Sequence, residues 1–176
     1  SNVTAIDLSL GSLAYAFRKT KELKLDNIKY IQADILNLKN LNFQYDIIES
    51  VGVLHHMKDP IEGWEVLTSC LKKGGLMRLG LYSERARKHI TKIREDIKRL
   101  GLISNAEEMR VFRETIIKSD DKNHKIVKNT ADFYNMSTLR DFLFHVQEHK
   151  FNIIQIKEIL DKLGLKFCGF EDRNLI

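Results

Sequence analysis

The segment from Tyr45 to Pro60, YDIIESVGVLHHMKDP, decides the fold. Tyr45–Val51 is rich in apolar and β-branched side chains, which predicts a buried strand. A polar loop with two adjacent histidines follows. Asp59 and Pro60 then predict a helix start, because aspartate is a favoured N-cap and proline suits the first helical position. A strand that passes through a loop into a helix places that loop at the carboxyl end of a parallel sheet, where open α/β sheets bind ligands.

Strands and helices alternate around this segment over the first 83 residues. Apolar runs predict three more strands, at Val3–Leu8, Ile28–Ala33 and Leu76–Tyr82. Helices are predicted after a Ser9 cap and from Pro60 to about Lys72, with the second one ending at Gly74-Gly75. The alternation predicts the α/β class with a doubly wound, mostly parallel sheet.

A run of helices interrupts the alternation after Ser83. We predict helices at Glu84–Leu100, after a Ser104–Glu107 capping box and after a Ser137 cap, with a polar loop at Lys118–Lys128. The sheet pattern resumes with a helix that stops at Gly164 and a fifth strand at Leu165–Phe170. The predicted organisation is a single domain over 1–176, with a sheet core at 3–83, a helical lid at 84–150 and a return to the sheet at 151–176.

The positive charge of the chain is concentrated in the helical run. The net charge is +5, and residues 84–130 contain 13 Lys/Arg against 8 Asp/Glu, whereas the rest has 16 of each. Solvated surface helices are the preferred interpretation. A face for an anionic substrate or a nucleic acid is the alternative. No aromatic residue lies among the basic residues between Glu84 and Glu108, so a base-stacking platform for nucleic acid is not supported there.

Two cysteines, Cys70 and Cys168, are far apart in the sequence and have apolar neighbours. We expect buried thiols rather than a disulfide, which fits a reducing compartment and predicts a cytoplasmic location. No apolar run reaches the roughly 20 residues that a membrane-spanning helix needs, so no membrane partner is expected.

Four segments in order resemble class I S-adenosylmethionine (SAM)-dependent methyltransferases. They are VTAIDLS at Val3–Ser9, QADIL at Gln32–Leu36, the Tyr45–Pro60 segment, and LKKGGLMRLGLYS at Leu71–Ser83. The closing KEILDKLGLKFCGFE at Lys157–Glu171 resembles the helix and strand that follow the lid in that family. DFYNMSTLRDFLFHVQEHKF at Asp132–Phe151 resembles bacterial methyltransferases fused to tetratricopeptide repeats. The resemblance implies a Rossmann-like methyltransferase domain, SAM as the cofactor and an unidentified methyl acceptor.

The resemblance implies a cofactor role for the acids at two strand ends. Asp7, with Leu8 beside it, would accept hydrogen bonds from both ribose hydroxyls of SAM, since a carboxylate offers two acceptor oxygens. Asp34 would accept from the adenine amino group, and the Ile35 amide would reach the ring. The structural alternatives are that Asp7 caps the next helix and that Asp34 is a turn residue.

A further cofactor contact is implied at the end of the Tyr45 strand. Ser50, Val51 and Gly52 would run their backbone beside the methionine part of SAM, because Gly52 permits close approach of a ligand. The family's first strand and its E/D-x-G-x-G-x-G loop, which also contact the cofactor, are not found in this sequence. We therefore expect a truncated domain, whose exposed first helix and unpaired central strand favour a homodimer or aggregation.

The loop that follows Gly52 supplies the candidate catalytic residues. Methyl transfer mainly needs an acceptor held in line with the methyl group, because the sulfonium is already an activated leaving group. His55 or His56 is a candidate general base or acceptor-positioning group, and the alternative is that the pair only shapes the loop. Adjacent residues point apart, so joint metal chelation is not expected. Candidate acceptor-binding residues on the lid side are Tyr82, Tyr134, His145 and His149.

Three alternative functions remain open. The run from His145 to His149 matches H-x-x-E-H, in which His145 and His149 on one helix face would bind zinc and Glu148 would be the base of a hydrolase. A dinucleotide oxidoreductase also carries an acid after its second strand, although the LHHMKDP loop is not expected there. The third alternative is a degenerate methyltransferase fold that serves as a non-enzymatic interaction module.

Overall fold

A computed structural model describes residues 2–145 and 147–171 of the 176-residue chain. The strands in this part are β1 Val3–Asp7, β2 Ile28–Gln32, β3 Tyr45–Val51 and β4 Leu71–Gly80. The α-helices are α1 Leu10–Glu22, α2 Pro60–Ser69, α3 Lys88–Arg99, α4 Ala106–Lys118, α5 Lys122–Lys128, α6 Met136–Leu139 and α7 Ile153–Leu163. Short 3-10 helices lie at Ile35–Asn40, Leu54–His56 and Ala131–Phe133, and a π-helix lies at Arg140–Phe144.

The chain forms two compact units. The strand unit comprises Ser1–Leu54 and Asp59–Gly80, and the helical unit comprises His55–Lys58 and Leu81–Ile176. The predicted division of a single methyltransferase-like domain into core, lid and return stays a prediction. Within the described residues, no helix combines the length and the apolar character that crossing a membrane requires.

Parallel pairing of neighbouring strands organises the strand unit. β1 pairs with β2 from Val3 opposite Ile28 to Asp7 opposite Gln32, and β3 pairs with β4. The described residues thus form two parallel sheets of two strands each. Parallel strands need long crossover connections, which α1 and α2 supply. The predicted α/β class with parallel strands is confirmed.

The junction between α2 and β4 differs from the prediction. β4 begins at Leu71 rather than Leu76, and α2 already ends at Ser69. The Tyr45 N–H donates to the Cys70 carbonyl (2.9 Å), so the chain joins β3 directly after the helix. This long-range pairing overrides the local helix signal, and the strand is longer than its apolar run suggests.

Two glycines lie inside β4 instead of ending α2. The register with β3 shifts between Leu71 and Leu76, and Gly74 has φ +81° within this irregular stretch. A Cβ atom on Gly75 would lie 2.8 Å from the Asp46 carbonyl oxygen. The pair therefore permits a bulge and a close approach of two backbones, which a larger residue at Gly75 would prevent.

The helices of the strand unit begin at the predicted caps. The Ser12 N–H donates to the Ser9 Oγ (3.2 Å), and the Ile61 N–H donates to the Asp59 Oδ1 (2.9 Å). The buried apolar residues of this unit are Leu13, Leu38, Ile48, Leu54, Trp64, Val66, Leu67 and Cys70. Burial of the Cys70 thiol confirms that prediction.

An apolar cluster forms the core of the helical unit. Its members come from α3, α4, α5, α6 and the short helices near them: Ile90, Ile93, Ile97, Met109, Phe112, Ile116, Val127, Phe133, Leu139, Phe142, Leu143 and Phe144. α3 begins at Lys88 rather than Glu84. The Glu84 N–H donates to the Phe151 carbonyl (3.0 Å), and this contact holds the chain before α3 outside the helix.

Two helix caps of this unit are not the predicted ones. Asn105, not Ser104, caps α4, because its Oδ1 accepts from the Glu108 N–H (2.8 Å). Asn135, not Ser137, caps α6, and its Oδ1 accepts from the Ser137 N–H (2.8 Å). Asparagine and serine are similar in capping strength, so the sequence places these helix starts only to within one or two residues.

Helix α5 lies where a polar loop was expected. Asp121 caps it by accepting from the Asn123 N–H (2.7 Å). Val127 is its one buried residue and is fully buried in the core cluster. A seven-residue helix with one buried side chain lacks the repeated apolar positions by which amphipathic helices are recognised.

The end of the described chain departs from the predicted return to the sheet. α7 ends at Gly164 (φ +66°), as predicted. Residues 165–170 form no strand, and Phe167 and Phe170 are 58% and 70% exposed. Cys168 is exposed, contrary to the predicted buried thiol. No described strand pairs with this segment, so it lacks the hydrogen bonds that would make its apolar residues a strand. Residues 172–176 lie outside the described residues.

Candidate functional site

The two acids predicted to hold the cofactor lie at one end of the β1–β2 sheet. Asp7 is the last residue of β1 and pairs with Gln32, the last residue of β2, two residues before Asp34. The Ser9 N–H donates to the Asp7 Oδ1 (2.8 Å), and Leu8 is 66% exposed. The parallel pairing therefore brings both acids to the carboxyl edge of this sheet.

Asp7 and Asp34 each also make the local hydrogen bond expected of the structural alternatives, which are a helix cap for Asp7 and a turn residue for Asp34. Asp7 accepts from Ser9 as described, and the Asp34 Oδ1 accepts from the Leu36 N–H (2.9 Å) at the start of the 3-10 helix that begins at Ile35. In the described part of the chain the Asp7 Oδ2 has no hydrogen-bond partner. A carboxylate has about four acceptor positions, so these contacts leave capacity for a ligand.

The end of β3 combines a buried hydroxyl with open backbone. Ser50 is buried, and its Oγ has no hydrogen-bond partner among the described residues. Val51 is 51% exposed, and Gly52 has φ +81° with no heavy atom near the position of a Cβ. An unpaired buried hydroxyl is costly, so a group that bonds to it would stabilise this strand end.

Two histidines and a tyrosine stack in the helical unit. The rings of His55 and Tyr82 are 3.8 Å apart and nearly parallel, and the rings of His55 and His56 are 4.3 Å apart. The rings of His56 and His145 are 4.0 Å apart between their centroids. His55 is 1% exposed, whereas His56 is half-buried. The structure thus gathers both predicted catalytic histidines with two predicted acceptor residues.

Hydrogen bonds fasten the histidine loop to residues 147–149. The His149 N–H donates to the His55 carbonyl (2.8 Å), which places this predicted acceptor residue beside the histidines. The Gln147 Nε2 donates to the Met57 carbonyl (3.0 Å), and the His56 Nδ1 lies 3.2 Å from the Gln147 carbonyl oxygen. Because a carbonyl only accepts, Nδ1 carries the proton of a neutral His56 and Nε2 carries the lone pair.

A carboxylate between two arginines supports the same segment. The Arg87 Nε and Nη2 donate to Glu148 at 2.9 and 2.7 Å, and the Arg94 Nη2 lies 3.0 Å from the Glu148 Oε2. The Glu148 side chain is 3% exposed. The Arg87 guanidinium also lies 3.6 Å above the Tyr82 ring. We call this set the Glu148 clamp, comprising Arg87, Arg94 and Glu148.

The two arginines of the clamp were not predicted from the sequence. Arg87 and Arg94 are seven residues apart, close to two helical turns, so they lie on one side of α3 and its N-terminal flank. That spacing was the available signal, but it does not identify an acid 54 residues further along the chain. A buried bidentate arginine–carboxylate contact is strong and geometrically specific.

Burial shifts the titration of His56. Desolvation lowers the pKa of His56 below 6.5, the nearby His145 lowers it further, and the hydrogen bond to Gln147 opposes them. The lowered pKa keeps the imidazole neutral near pH 7, and its Nε2 is then a proton acceptor.

Tyr134 stands apart from these contacts. It is 61% exposed, its ring packs edge-on against Phe133 (5.2 Å), and its carbonyl accepts from the Arg113 Nη1 (3.0 Å). None of its described contacts involves the stacked histidines. Its predicted acceptor role stays a prediction.

The zinc hydrolase hypothesis fails on geometry. The H-x-x-E-H motif requires a helix so that its histidines share a face, but residues 147–150 are not helical and Val146 lies outside the described residues. Glu148, the expected base, is engaged by two arginines. Across the described residues, no three His, Cys, Asp or Glu side chains are grouped closely enough to hold a metal ion.

The N-terminal part of the chain matches the methyltransferase domain family. The match covers residues 1–77, which contain β1–β3, α1, α2 and the three sets of predicted cofactor residues. The resemblance to methyltransferases is thereby confirmed for residues 1–77. The expected fusion to tetratricopeptide repeats stays a prediction.

Two proteins of known sequence are similar to the chain. An uncharacterized protein of Synechococcus sp. is 30% identical over 99% of the chain and 44% of its own length. A tRNA U34 carboxymethyltransferase of Campylobacter fetus is 43% identical over 49 residues, which are 28% of the chain and 17% of that protein.

Solved structures support the fold. PKMT2 from Rickettsia typhi superposes with a TM-score of 0.74 over 93% of the chain, at 19% identity, and the chain covers 34% of that protein. The same protein in complex with AdoHcy superposes with a TM-score of 0.72 over 99% of the chain, at 18% identity and 38% of that protein. The predicted α/β, Rossmann-like fold is confirmed. The chain spans less than half the length of the Synechococcus relative and of the Rickettsia structures.

Proposed function

We propose that the protein transfers a methyl group from SAM to an acceptor. The observation that carries the proposal is the pairing of β1 with β2, which puts Asp7 and Asp34 at one carboxyl edge within a region that matches the methyltransferase domain family. The AdoHcy complex of the Rickettsia protein supports the cofactor, since AdoHcy is SAM without its methyl group.

Asp7 would bind the ribose hydroxyls of SAM. Its Oδ2 accepts no hydrogen bond from a described residue, and its Oδ1 has one further acceptor position beyond the Ser9 N–H. Leu8 would flank the ribose, while Asp34 and the Ile35 amide would bind the adenine. Ser50, Val51 and Gly52 would lie beside the methionine part of SAM, where the unpaired Ser50 hydroxyl offers a hydrogen bond.

His56 is the better candidate for a general base. The acceptor atom attacks the methyl carbon, the carbon–sulfur bond breaks, and S-adenosylhomocysteine leaves as a neutral thioether. If the acceptor atom carries a proton, the Nε2 of His56 takes it, and the lowered pKa of His56 keeps this nitrogen unprotonated near pH 7. His55 is buried against Tyr82, which favours a supporting role for that ring.

The acceptor is proposed to be anionic, with Tyr82, Tyr134, His145 and His149 as candidate contacts. The excess of basic residues at 84–130 supports this choice. A nucleic acid is less favoured, because the base-stacking aromatic residues are lacking at 84–108. Free Cys70 and Cys168 support a cytoplasmic location.

A homodimer through the strand unit is a related proposal. Ile47 and Leu76 are 68% and 58% exposed on paired strands, and apolar surface of this kind favours association. Light scattering of the intact protein tests it: a molar mass of two chains supports the dimer, and a monomer at high concentration rejects it.

Calorimetric titration of S-adenosylhomocysteine into the intact protein tests the cofactor site. Asp7→Asn keeps an oxygen that can accept from Ser9 but removes the carboxylate, and Asp26→Asn is the matched control at an exposed turn. We expect Asp7→Asn to weaken binding about tenfold or more and Asp26→Asn to leave it unchanged. No heat from the folded wild type would favour the non-enzymatic interaction module.

A further inference from the structure

A groove of about 560 Å³ lies within the helical unit, on the side of α3 that faces away from the core. Lys88, Thr91, Lys92 and Glu95 line one wall, and they follow the i, i+3, i+4, i+7 spacing of one helix face. Ile90 and its neighbours on the opposite face pack into the core cluster. The volume falls within the range of small-molecule sites, roughly 300–1,000 Å³.

We propose that this groove binds a small polyanion that carries phosphate or carboxylate groups. Lys88 and Lys92 are exposed, and their ammonium groups have no ion pair or hydrogen bond with any described residue. Like charges at i and i+4 on a helix repel one another. A ligand with two anionic groups, each taken up by one lysine, converts this repulsion into attraction.

The opposite wall adds a third ammonium and is tied to α3. The Lys150 Nζ donates to the Thr91 Oγ1 (2.7 Å), which ties the segment containing His149 and Lys150 to α3. Arg94 of the Glu148 clamp makes a second tie between α3 and this segment. Both walls are therefore fixed before a ligand arrives, which lowers the entropic cost of binding.

The acids of the groove leave it with a small positive balance. Glu148 is neutralised by Arg87 and Arg94, whereas Glu84 keeps its charge, because the Asn152 amide that donates to its Oε2 (3.4 Å) is neutral. The three lysines of the lining therefore outnumber the two remaining acids, Glu84 and Glu95. Glu95 has no such partner among the described residues and is one turn from Thr91. Its carboxylate excludes anions too long for the Lys88–Lys92–Lys150 set, so a compact di- or trianion is favoured.

Anion binding by the groove does not depend on the proposed methyl transfer. Only the assignment of the groove to the methyl acceptor rests on the proposed function.

The groove is tested with two anionic probes, pyrophosphate for phosphate groups and citrate for carboxylate groups. Each is titrated calorimetrically into the intact protein at about 0.05 and 0.15 M salt. Lys88→Gln/Lys92→Gln removes two charges from the groove. Lys98→Gln/Lys122→Gln, at exposed positions outside it, removes the same charge.

We expect one of the two probes to bind. The groove variant should raise its dissociation constant about tenfold, and the control variant should leave the dissociation constant within about twofold. Preference for pyrophosphate or for citrate tells which anionic group the groove takes. Equal weakening by both variants would show non-specific charge attraction and overturn the proposal, as would no binding by either probe. S-adenosylhomocysteine titrated into the same preparations separates this failure from failure of the cofactor site.

Discussion

The helical unit and the strand unit bury their side chains to different extents. In the helical unit, Met109, Ile116, Val127 and Phe133 are fully buried within one apolar cluster. The strand unit has a smaller set of buried apolar residues, listed above. Both units also expose apolar side chains, for example Ile47 68% and Leu76 58% in the strand unit and Val111 63% and Ile154 70% in the helical unit. The candidate cofactor residues lie on the unit with the smaller buried set.

Ion pairs show the same contrast. Glu148 is buried between two arginines in the helical unit, whereas the Lys72–Asp46 and Arg78–Glu49 pairs of the strand unit are exposed. Burial makes an unpaired charge costly, and exposure makes a pair nearly neutral in stability. The helical unit thus combines a large buried cluster with a buried ion pair, whereas the strand unit has fewer buried apolar residues, and binding of a cofactor or partner would add to its stability.

The largest expected effect is on the core of the helical unit. Phe133→Ala removes a fully buried ring and is expected to lower the free energy of unfolding by about 3–5 kcal/mol, through lost burial and a cavity. Leu13→Ala in the strand unit should cost less, about 2 kcal/mol, because a smaller side chain is removed and Leu13 is the one buried residue of α1. Urea unfolding followed by circular dichroism and by fluorescence of Trp64, the one tryptophan, measures both. A Leu13→Ala effect equal to that of Phe133→Ala would contradict the contrast in packing.

The second-largest expected loss of stability follows from removing the carboxylate charge of the Glu148 clamp. Glu148→Gln leaves Arg87 and Arg94 facing one another without a carboxylate, and we expect a loss of about 2–3 kcal/mol. The matched variant Asp46→Asn breaks an exposed pair and should cost less than about 0.5 kcal/mol. Urea midpoints of the two variants should differ clearly. Similar midpoints would mean that the clamp adds no stability.

Helix caps should act equally in the two units, because a cap depends on local contacts. Asp59→Ala removes the cap of α2, and Asn152→Ala removes the capping box of α7. Each is expected to cost about 1 kcal/mol in the same urea assay. A cost confined to one unit would show that capping there depends on the packing around the helix.

The smallest effect is a loss of stability on acidification. Burial lowers the pKa values of His56 and His89 below 6.5 in the folded protein, so the unfolded chain binds protons more readily between the folded and unfolded pKa values. Stability is therefore full above about pH 6.5 and falls as pH drops through the folded pKa values. Urea midpoints at pH 7.5 and 5.5 should show this fall. His56→Gln/His89→Gln should reduce it, and an unchanged fall would assign it to other groups.

Local signals made much of the strand unit predictable from sequence. β1, β2, β3 and the Ser9 and Asp59 caps follow from short apolar runs and capping residues, which depend on near neighbours. The early start of β4 was not predictable, since it depends on the contact between Tyr45 and Cys70. The predicted strand at 165–170 was wrong because a strand also needs a partner. Its apolar residues have no described strand to pair with.

The residues of the candidate sites were also predictable only where they depend on local sequence, and not where they depend on long-range contacts. The acids were identified because each lies within two residues of the end of its strand in the sequence. The stack of His55 and His56 with Tyr82 and His145, and the arginines that hold Glu148, depend on contacts between residues about 30 to 90 positions apart. Side chains were therefore proposed one at a time, and their arrangement needed the structure.

A crystal structure of the intact protein with S-adenosylhomocysteine tests the central claim most directly. We expect both ribose hydroxyls within hydrogen-bond distance of the Asp7 carboxylate, the adenine amino group at Asp34, and the homocysteine part beside Ser50–Gly52. A ligand bound away from Asp7 and Asp34, or no ligand at saturating concentration, would contradict the proposed cofactor site.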